Sequence, residues 1–436
     1  MGWATRFKLK ELRKNSLWLV PVVGVLICVV AQRLVSALNN HWDPPSNLTF
    51  TPSTAGLMFS AIIAASMSLT GFMLTILVLL VQMASSSYSP RTLLFVFRNS
   101  QLKLALALFV GTMAFAFLSM GEISDTEANN LSVLVCAVLS LFSVVFFLQC
   151  LSQLMHGIRP ANMADRIART GHHVIEVAYP DPAPAEQDSR YRDVLPATPP
   201  DRVIHNGTNG AVLQGVDVEG LLRLATAHDA MIVLPVAAGD YLRHHGKAIV
   251  IYGGESLPSD HELLGHLALG SERTPEQDPA FALRVVVDIS LKALSAAIND
   301  PTTGEQLLDR VEDLLTDLVQ RDLHTGVFRD ANNVPRLVYP TPTWEDYLRL
   351  GVTEIRLYGG LNPQICRRMA ALLENLLEVA PPYRRALILE EQERLRRNVE
   401  QNFPDPLDRA VASVSDTQGL GATDLPAYPS SGAQSV

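Results

Sequence analysis

Polar and apolar positions follow two different rhythms along this chain, and the change falls near residue 157. Before it, apolar residues run almost unbroken over 17–38, 55–84, 103–120 and 131–155. Each run reaches or nears the ~20 residues that a helix needs to cross a ~30 Å hydrocarbon core, so the pattern predicts four membrane-spanning helices. The second run is the longest and has no charge before Arg91. At 1.5 Å per residue its roughly 30 residues make a helix of about 45 Å, more than the core requires. Ser60, Ser68, Gly71, Thr75, Gln82 and Ser85 recur in it at steps of three, four or their sums, which puts them on one helical stripe. Such a stripe either packs closely against another helix or lines a wet path, and the pattern leaves both open.

Beyond residue 157 the periodicity becomes that of a water-soluble protein. A helix is expected over 163–177, followed by the Pro-rich linker YPDPAPAEQDSRYRDVLPATPPD. Short β-prone runs follow at 211–217, 231–236 and 248–252, with helical spacing at 218–228 between the first two. From Thr274 the chain reads as helical throughout. Asp278-Pro279, Asp300-Pro301 and Asn362-Pro363 each present a cap residue followed by proline at the first helical position. Leu307, Leu308, Val311, Leu314, Leu315, Leu318 and Val319 form a regular 3.6-residue stripe after the second of these. Residues 344–358 make another helix, Pro381-Pro382 stops the next, and a last charged helix runs to about 402. The Ser-, Gly-, Ala-, Asp- and Pro-rich tail after Pro404 is expected to be disordered.

Charge orients the spans. Arg6, Lys8, Lys10, Arg13 and Lys14 precede the first, Arg91, Arg98 and Lys103 lie between the second and third, and Arg159, Arg166 and Arg169 follow the fourth. The other two connections hold Asp43 and then Glu122, Asp125 and Glu127, with no Lys or Arg. This alternation obeys the positive-inside rule, so both termini are expected in the cytosol of a bacterium, with the spans in its inner membrane. The first run is too long for the apolar core of a cleaved signal, and no clear small-residue cleavage site follows it.

Composition removes several function classes. The 436 residues carry 35 Lys and Arg against 44 Asp and Glu, a net charge of −9, which argues against nucleic acid as a partner. Of the four cysteines, Cys28, Cys136 and Cys150 lie inside apolar runs and Cys366 stands alone, so neither a disulfide framework nor a zinc site is expected. His261 and His266 bracket a helix-like HELLGH, but the second His of a zinc helix belongs at i+4, where Gly265 stands. No nucleophile, base and orienting group share a usable spacing, so no catalytic residue and no enzymatic activity are expected. One polar cluster stands out: Asn299, Asp300 and Thr302 at a helix start, with Asp288 on the preceding helix. It reads either as a ligand site or as a helix cap beside an ordinary Arg284–Asp288–Lys292 charge row.

Two resemblances complete the reading. PVAAGDYLRHHGKAIVIY is similar to one hairpin of lipoyl- and biotinyl-type β-sandwich modules. It carries no Met-flanked lysine at a turn tip, so no cofactor is expected. The second span ending in QMASSSYSPR, the segment GSERTPEQDPAF and the segment VVDISLKALSAAINDPTTGEQLLDR together resemble the bacterial family of predicted membrane proteins known as domain of unknown function 2254. The likeness runs from the first span to about residue 400. It implies an integral membrane protein and carries no activity or site residue with it.

The expected architecture is a four-span transmembrane α-helical domain (1–156), a cytosolic helix and linker (157–201), a small β-rich module (202–273), a helical bundle (274–402) and a disordered tail (403–436). The expected partners are the lipid bilayer and further copies of the chain in a homo-oligomer. The expected function is a channel-like solute-permeation protein with the second span along the path. The alternative is a membrane-anchored sensor or scaffold that binds a partner or small ligand through its cytosolic domain.

Overall fold

A computed structural model of the chain describes residues 2–417 apart from 40, 43–44, 46–47, 88–89, 93–94, 96, 125–126, 158, 185–193, 208, 255–256 and 324–325. The chain divides into two compact units, an apolar helical unit over residues 10–162 and a mixed unit formed by residues 1–9 and 163–436.

In the apolar unit, α2 (Leu19–Asn39), α3 (Pro52–Ser87), α4 (Ser100–Met120) and α5 (Asn130–Gly157) are, among the described residues, the helices long and apolar enough to cross a membrane. α4 is central and packs on all three others. Its Leu102, Ala105, Phe109, Phe115 and Ala116 are fully enclosed, while α2 and α3 bury only one side. Small residues allow the closest approach. A Cβ at Gly24 would lie 2.9 Å from Ala107, and one at Gly111 would lie 2.8 Å from the Cys28 sulfur. These contacts fix α2 and α4 as parallel neighbours.

Asparagines tie the helix ends. Asn99 caps α4 by accepting from the amides of Gln101 and Leu102, Asn130 accepts from Phe50 N–H at 2.8 Å, and Asn39 accepts from Leu131 N–H at 3.1 Å. At the Asn99 end, Arg98 pairs with Glu11 at 2.8 Å, and the Lys103 ammonium donates to the Lys14 carbonyl. Arg33, a charge inside the first apolar run, lies at the other end, with Glu122 3.4 Å away. α3 is 36 residues long and continuous through Ser87, about 54 Å at helical rise. A 3-10 turn over Pro90–Thr92 follows, and residues 88–89 between them lie outside the described residues.

The mixed unit begins with the first turns of α1 (Trp3–Asn15) and continues with α6 (Pro160–Ala178), close to the helix expected there. Among the described residues eight strands follow in two sheets: β1 (Arg202–His205), β2 (Ala211–Val216), β3 (Ala230–Val233), β4 (Tyr241–Leu242), β5 (Lys247–Gly253), β6 (Leu267–Gly270), β7 (Val327–Arg329) and β8 (Pro335–Val338). One sheet has the order β1-β5-β3-β8-β7 and the other β4-β2-β6. All pairings are antiparallel except β3 with β8. Both sheets feed one core, in which Leu213, Ile232, Ile249, Leu337 and the helical Leu221 are fully or nearly fully buried. α7 (Val218–Ala227) and α8 (Asp260–Leu264) close its edges.

Three expectations need correction. β4 and β5 belong to different sheets, so the expected β4–β5 hairpin is a crossover from one sheet to the other. The segment after Thr274 is not wholly helical, because β7 and β8 return to the large sheet. They form a hairpin around an Asp330-Ala331-Asn332-Asn333 turn, where Asp330 accepts the amides of Asn332 and Val334 and Asn333 has φ +62°. Strands this short show no alternation for sequence reasoning to find. A parallel β3–β8 pair also requires a long crossover, which the intervening helices supply. Finally, the tail is ordered beyond Pro404 as α14 (Pro406–Ser413), and Asp416 N–H donates to the Arg367 carbonyl at 3.3 Å. Residues 418–436 lie outside the described residues.

The remaining helices are α9 (Pro279–Ala293), α10 (Pro301–Val319), α11 (Trp344–Gly359), α12 (Pro363–Val379) and α13 (Pro382–Asn402). Asp278, Asp300 and Asn362 cap α9, α10 and α12 as their positions just before proline predict, and the Leu307–Val319 stripe is buried along its length. α6 crosses α9 and α10 at Gly171, where a Cβ would meet Ala282 and Leu314 at 2.8 Å. The start of the expected linker is pinned to the end of α10, with Ala183 N–H donating to Gln320 and Asp322 N–H to Asp181.

Candidate functional site: a cleft in the mixed unit and a stripe on α3

The mixed unit holds a cleft of about 760 Å³ that sequence reasoning missed. Its walls come from six separated segments. Trp3 and Arg6 stand on α1, Val174 to Pro180 end α6, and Val216 to Glu219 with Arg223 join β2 to α7. Ala237 and Ala238, the run from Glu276 to Pro279, and Phe328 with Tyr339 to Pro342 complete it. Val177–Pro180, Val216–Glu219, Glu276–Pro279 and Tyr339–Pro342 are tight local groups, but they lie far apart in the chain, so no short motif announces the site.

The walls are held firmly. Gln277 accepts from Val216 N–H at 2.8 Å and donates to Val216 C=O at 3.2 Å, so its side chain extends the β2 edge. Asp217 caps α7 through Gly220 N–H at 3.1 Å and pairs with His266 at 2.8 Å. Tyr179 shares a 2.9 Å hydrogen bond with Tyr347, and Phe328 stacks on Tyr339 at 5.4 Å. Trp3 stacks on Phe7 at 5.3 Å. Burial pushes the Tyr339 phenol up to about 12, so it keeps its proton at neutral pH.

Asp278 is the buried carboxylate of this cleft. It caps α9 by accepting from Phe281 N–H at 3.1 Å and pairs with Arg273 at 2.6 Å. Burial pushes its carboxyl up to about 6 against the pull of Arg273 and the Phe281 amide, with a smaller upward push from Asp240. The folded state therefore holds this proton more tightly than the unfolded chain, and the sign follows. The contribution of Asp278 to stability is largest below the ordinary 3.8, falls as pH rises towards about 6, and is lost above it, by ~3 kcal/mol at most. Asp278→Asn keeps a competent cap and removes the ionisation. Unfolding midpoints of the purified variant between pH 4 and pH 7 are expected to decline less than those of wild type. An equal decline would assign the pH dependence to other groups.

The second candidate is the stripe on α3. Ser60, Ser68, Gly71, Thr75 and Gln82 are all exposed on the surface of the apolar unit. The Ser60, Ser68 and Thr75 hydroxyls donate back to the carbonyls of Gly56, Ala64 and Gly71 at 2.8, 2.9 and 3.0 Å. A Cβ at Gly71 would meet nothing within 4 Å. The opposite face, with Phe59, Ile62, Met73 and Leu77, is the one that packs inward. Apart from Ser60, whose hydroxyl also reaches the Met120 sulfur of α4 at 3.9 Å, the stripe therefore does not serve packing within one copy of the apolar unit. The side chain of Ser85, expected on the same stripe, lies outside the described residues.

Comparison with known families matches residues 14–375 to predicted membrane proteins, DUF2254. The chain belongs to the DUF2254 family. This DUF2254 chain is 29% identical over 431 residues to a Mycobacterium tuberculosis protein named Uncharacterized protein Rv1290c, covering 95% of this chain and 82% of the relative. The Mycobacterium bovis protein named Uncharacterized protein Mb1321c matches with the same identity and coverage. No solved structure matches. One of the three segments that carry the DUF2254 resemblance, GSERTPEQDPAF, supplies Glu276, Gln277, Asp278 and Pro279 to the cleft.

A second such segment holds the polar cluster expected from sequence. Asn299 adopts φ +48°, and Asp300 caps α10 by accepting from Thr303 N–H at 3.0 Å and the Thr303 hydroxyl at 2.5 Å. Thr302 is exposed beside it. Asp288 lies within α9 and pairs with Arg284 at 2.6 Å, and Arg284 also bonds Glu354 at 2.8 Å. The two carboxylates thus have separate protein partners, a helix cap for one and an ion pair for the other. Among the described residues, no group of three or more His, Cys, Asp or Glu side chains gathers here or elsewhere to hold a metal.

Proposed function

We propose that this protein is a homo-oligomer of the bacterial inner membrane in which α3 of each copy faces the seam between copies and lines a path for a small solute. The mixed unit lies on the cytosolic side in this reading, as assembly platform and gate, and carries no catalysis. The observation that carries it is the outward-facing α3 stripe on a unit whose centre is filled by α4. A filled centre leaves no room for a path within one copy, so small and hydroxyl-bearing residues on the outside serve contact or passage between copies. The stripe has no ionisable group, which favours a passive path over a coupled pump. The basic residues gathered at the Asn99 end support placing that end in the cytosol.

Cysteines introduced at Ser68 or Thr75 are expected to cross-link copies in native membranes, while one at the buried Met73 should not. Purified protein in planar bilayers should then conduct. Folded, inserted protein that neither cross-links at the stripe nor conducts under voltage or tension sinks the proposal.

A second reading is favoured by the cleft: a membrane-anchored sensor that binds a small ligand in its mixed unit. A volume of about 760 Å³ falls within the ~300–1,000 Å³ common for small-molecule sites, and aromatic walls with a few polar groups are their usual lining.

A further inference from the structure

The cleft has a charge imbalance created by its own internal pairing. We propose that it binds a small organic anion, a flat apolar or aromatic body bearing one carboxylate or phosphate, with Arg6 and Arg223 at the charged group and Trp3, Phe328 and Tyr339 along the body. This inference rests on the ligand-binding reading given above as the second.

Four acids line the cleft, and three are already engaged. Asp217 is taken by His266 and the Gly220 amide, and Asp278 by Arg273 and the Phe281 amide. Glu276 also has a partner, although its buried Oε2 accepts no hydrogen bond among the described residues. The cations differ. Among the described residues no carboxylate pairs with Arg6, and Arg223 donates only to the Glu219 carbonyl of its own helix, at 3.2 Å. Both side chains are exposed at the cleft. The exposed charge at the cleft is therefore two guanidinium groups against the single exposed carboxylate of Glu219, with the Glu276 Oε2 buried. A guanidinium fork matches the paired oxygens of a carboxylate or phosphate, whereas a cationic ligand would find one exposed acid beside two like charges. The Phe328–Tyr339 stack, with rings 16° from parallel, offers a flat wall, and Phe7 holds the Trp3 ring in place. Tyr339 keeps its phenolic proton and can donate to the same anion.

The placement of these residues along the chain suits a sensor. Trp3 and Arg6 lie on α1, which ends at Asn15, four residues before α2 begins at Leu19. Val174 and Tyr179 lie at the end of α6, which begins at Pro160, after α5 ends at Gly157. A ligand held between them ties together the segments by which the chain enters and leaves its apolar helices.

The test uses the full chain in lipid nanodiscs and titration calorimetry with four probes of one shape: 3-phenylpropanoate, phenyl phosphate, 3-phenylpropanamide and 3-phenylpropylamine. At least one of the two anions is expected to bind, and the neutral amide and the amine to bind at least ~10-fold more weakly. Which anion binds decides between the carboxylate and phosphate headgroups. Arg6→Gln combined with Arg223→Gln should weaken the anion ~10-fold or more with the unfolding midpoint unchanged, as both side chains are exposed. Phe328→Ala should weaken every probe that binds. If the amide or the amine binds as tightly as the anions, or the double variant keeps wild-type affinity, the anion assignment falls, while a Phe328-dependent signal preserves the cleft as a ligand site. If no probe binds in a Phe328-dependent way, the anion assignment and the ligand-binding reading fall together.

Discussion

Gly111→Leu is expected to abolish the folded apolar unit, whereas Gly71→Leu is expected to leave it intact. The two glycines sit on neighbouring helices of similar composition, and only their surroundings differ. A Cβ at Gly111 would lie 2.8 Å from the Cys28 sulfur and 3.3 Å from the Gly24 carbonyl oxygen, at the closest approach of α2 to α4. The sulfur can turn away, but the backbone carbonyl cannot. Moving it separates α2 from the helix on which the whole unit packs. Overpacking by a few methylenes costs about 1–3 kcal/mol, and a full leucine against backbone costs more than a marginally stable unit holds. At Gly71 a Cβ meets nothing within 4 Å, so a leucine there projects from the surface. Size-exclusion profiles and thermal unfolding in detergent separate the outcomes: aggregation or absence for Gly111→Leu, soluble protein with a cooperative unfolding transition for Gly71→Leu. The same Gly71 variant tests assembly. Under the proposed function its leucine obstructs the seam between copies, so it should shift the protein to smaller species or silence conductance while the monomer stays folded. A Gly111→Leu protein with a wild-type midpoint would show that α2 and α4 do not meet as described.

Arg384→Ala is expected to be the most destabilising single change in the mixed unit, at about 3–5 kcal/mol. Arg384 is 1% exposed, one of the largest enclosed side chains. Its Nη1 donates to the carbonyls of Leu318, Val319 and Arg321 at 3.2, 2.9 and 2.9 Å. Val319 ends α10 and Arg321 lies two residues past it, where helix geometry supplies no amide partner, while Leu318 also accepts from Arg321 N–H at 3.2 Å. Alanine removes the Arg384 donor from the Val319 and Arg321 carbonyls and leaves a cavity beside them. The loss extends to the cleft. Arg321, whose carbonyl Arg384 holds, donates to the Tyr179 carbonyl at 3.1 Å, and Tyr179 forms part of the cleft wall. The variant should therefore unfold at lower temperature and, in the fraction still folded, expose residues 179–183 and 318–322 to faster amide exchange. Arg384→Lys, with one donor group in place of a fork, should fall between wild type and alanine. A wild-type midpoint for Arg384→Ala would mean that the α10 carbonyls find other donors.

What was legible in advance divides by the range of the interactions involved. The four spans follow from about 20 apolar residues in a row, because in lipid each helix satisfies its own backbone and length alone decides whether it reaches across. The caps at Asp278, Asp300 and Asn362 follow from three-residue arrangements that close within one turn. The α10 stripe follows from 3.6-residue periodicity, and burial along it matches the expected positions. In each case the deciding partners lie within a few residues of one another in the chain.

The features that sequence reasoning missed depend on partners far apart. β7 and β8 are three and four residues long and become strands because β3, roughly a hundred residues earlier, offers an edge. The turn at Asp330–Asn333 was their one local signal. The cleft draws on residues from Trp3 to Pro342, and no spacing rule spans that distance.

The sequence by itself determined the family, the four apolar spans, the helix starts and the membership of the α3 stripe, since each rests on local composition or periodicity. Only the tertiary structure decided that the stripe faces outward, because the face a helix turns to its neighbours depends on where α4 sits. It also decided that Asp288 and Asp300 belong to separate structural pairs and that three of the cleft's four acids are already engaged. Charge pairing is a property of distance in space, which the order of residues along the chain does not record.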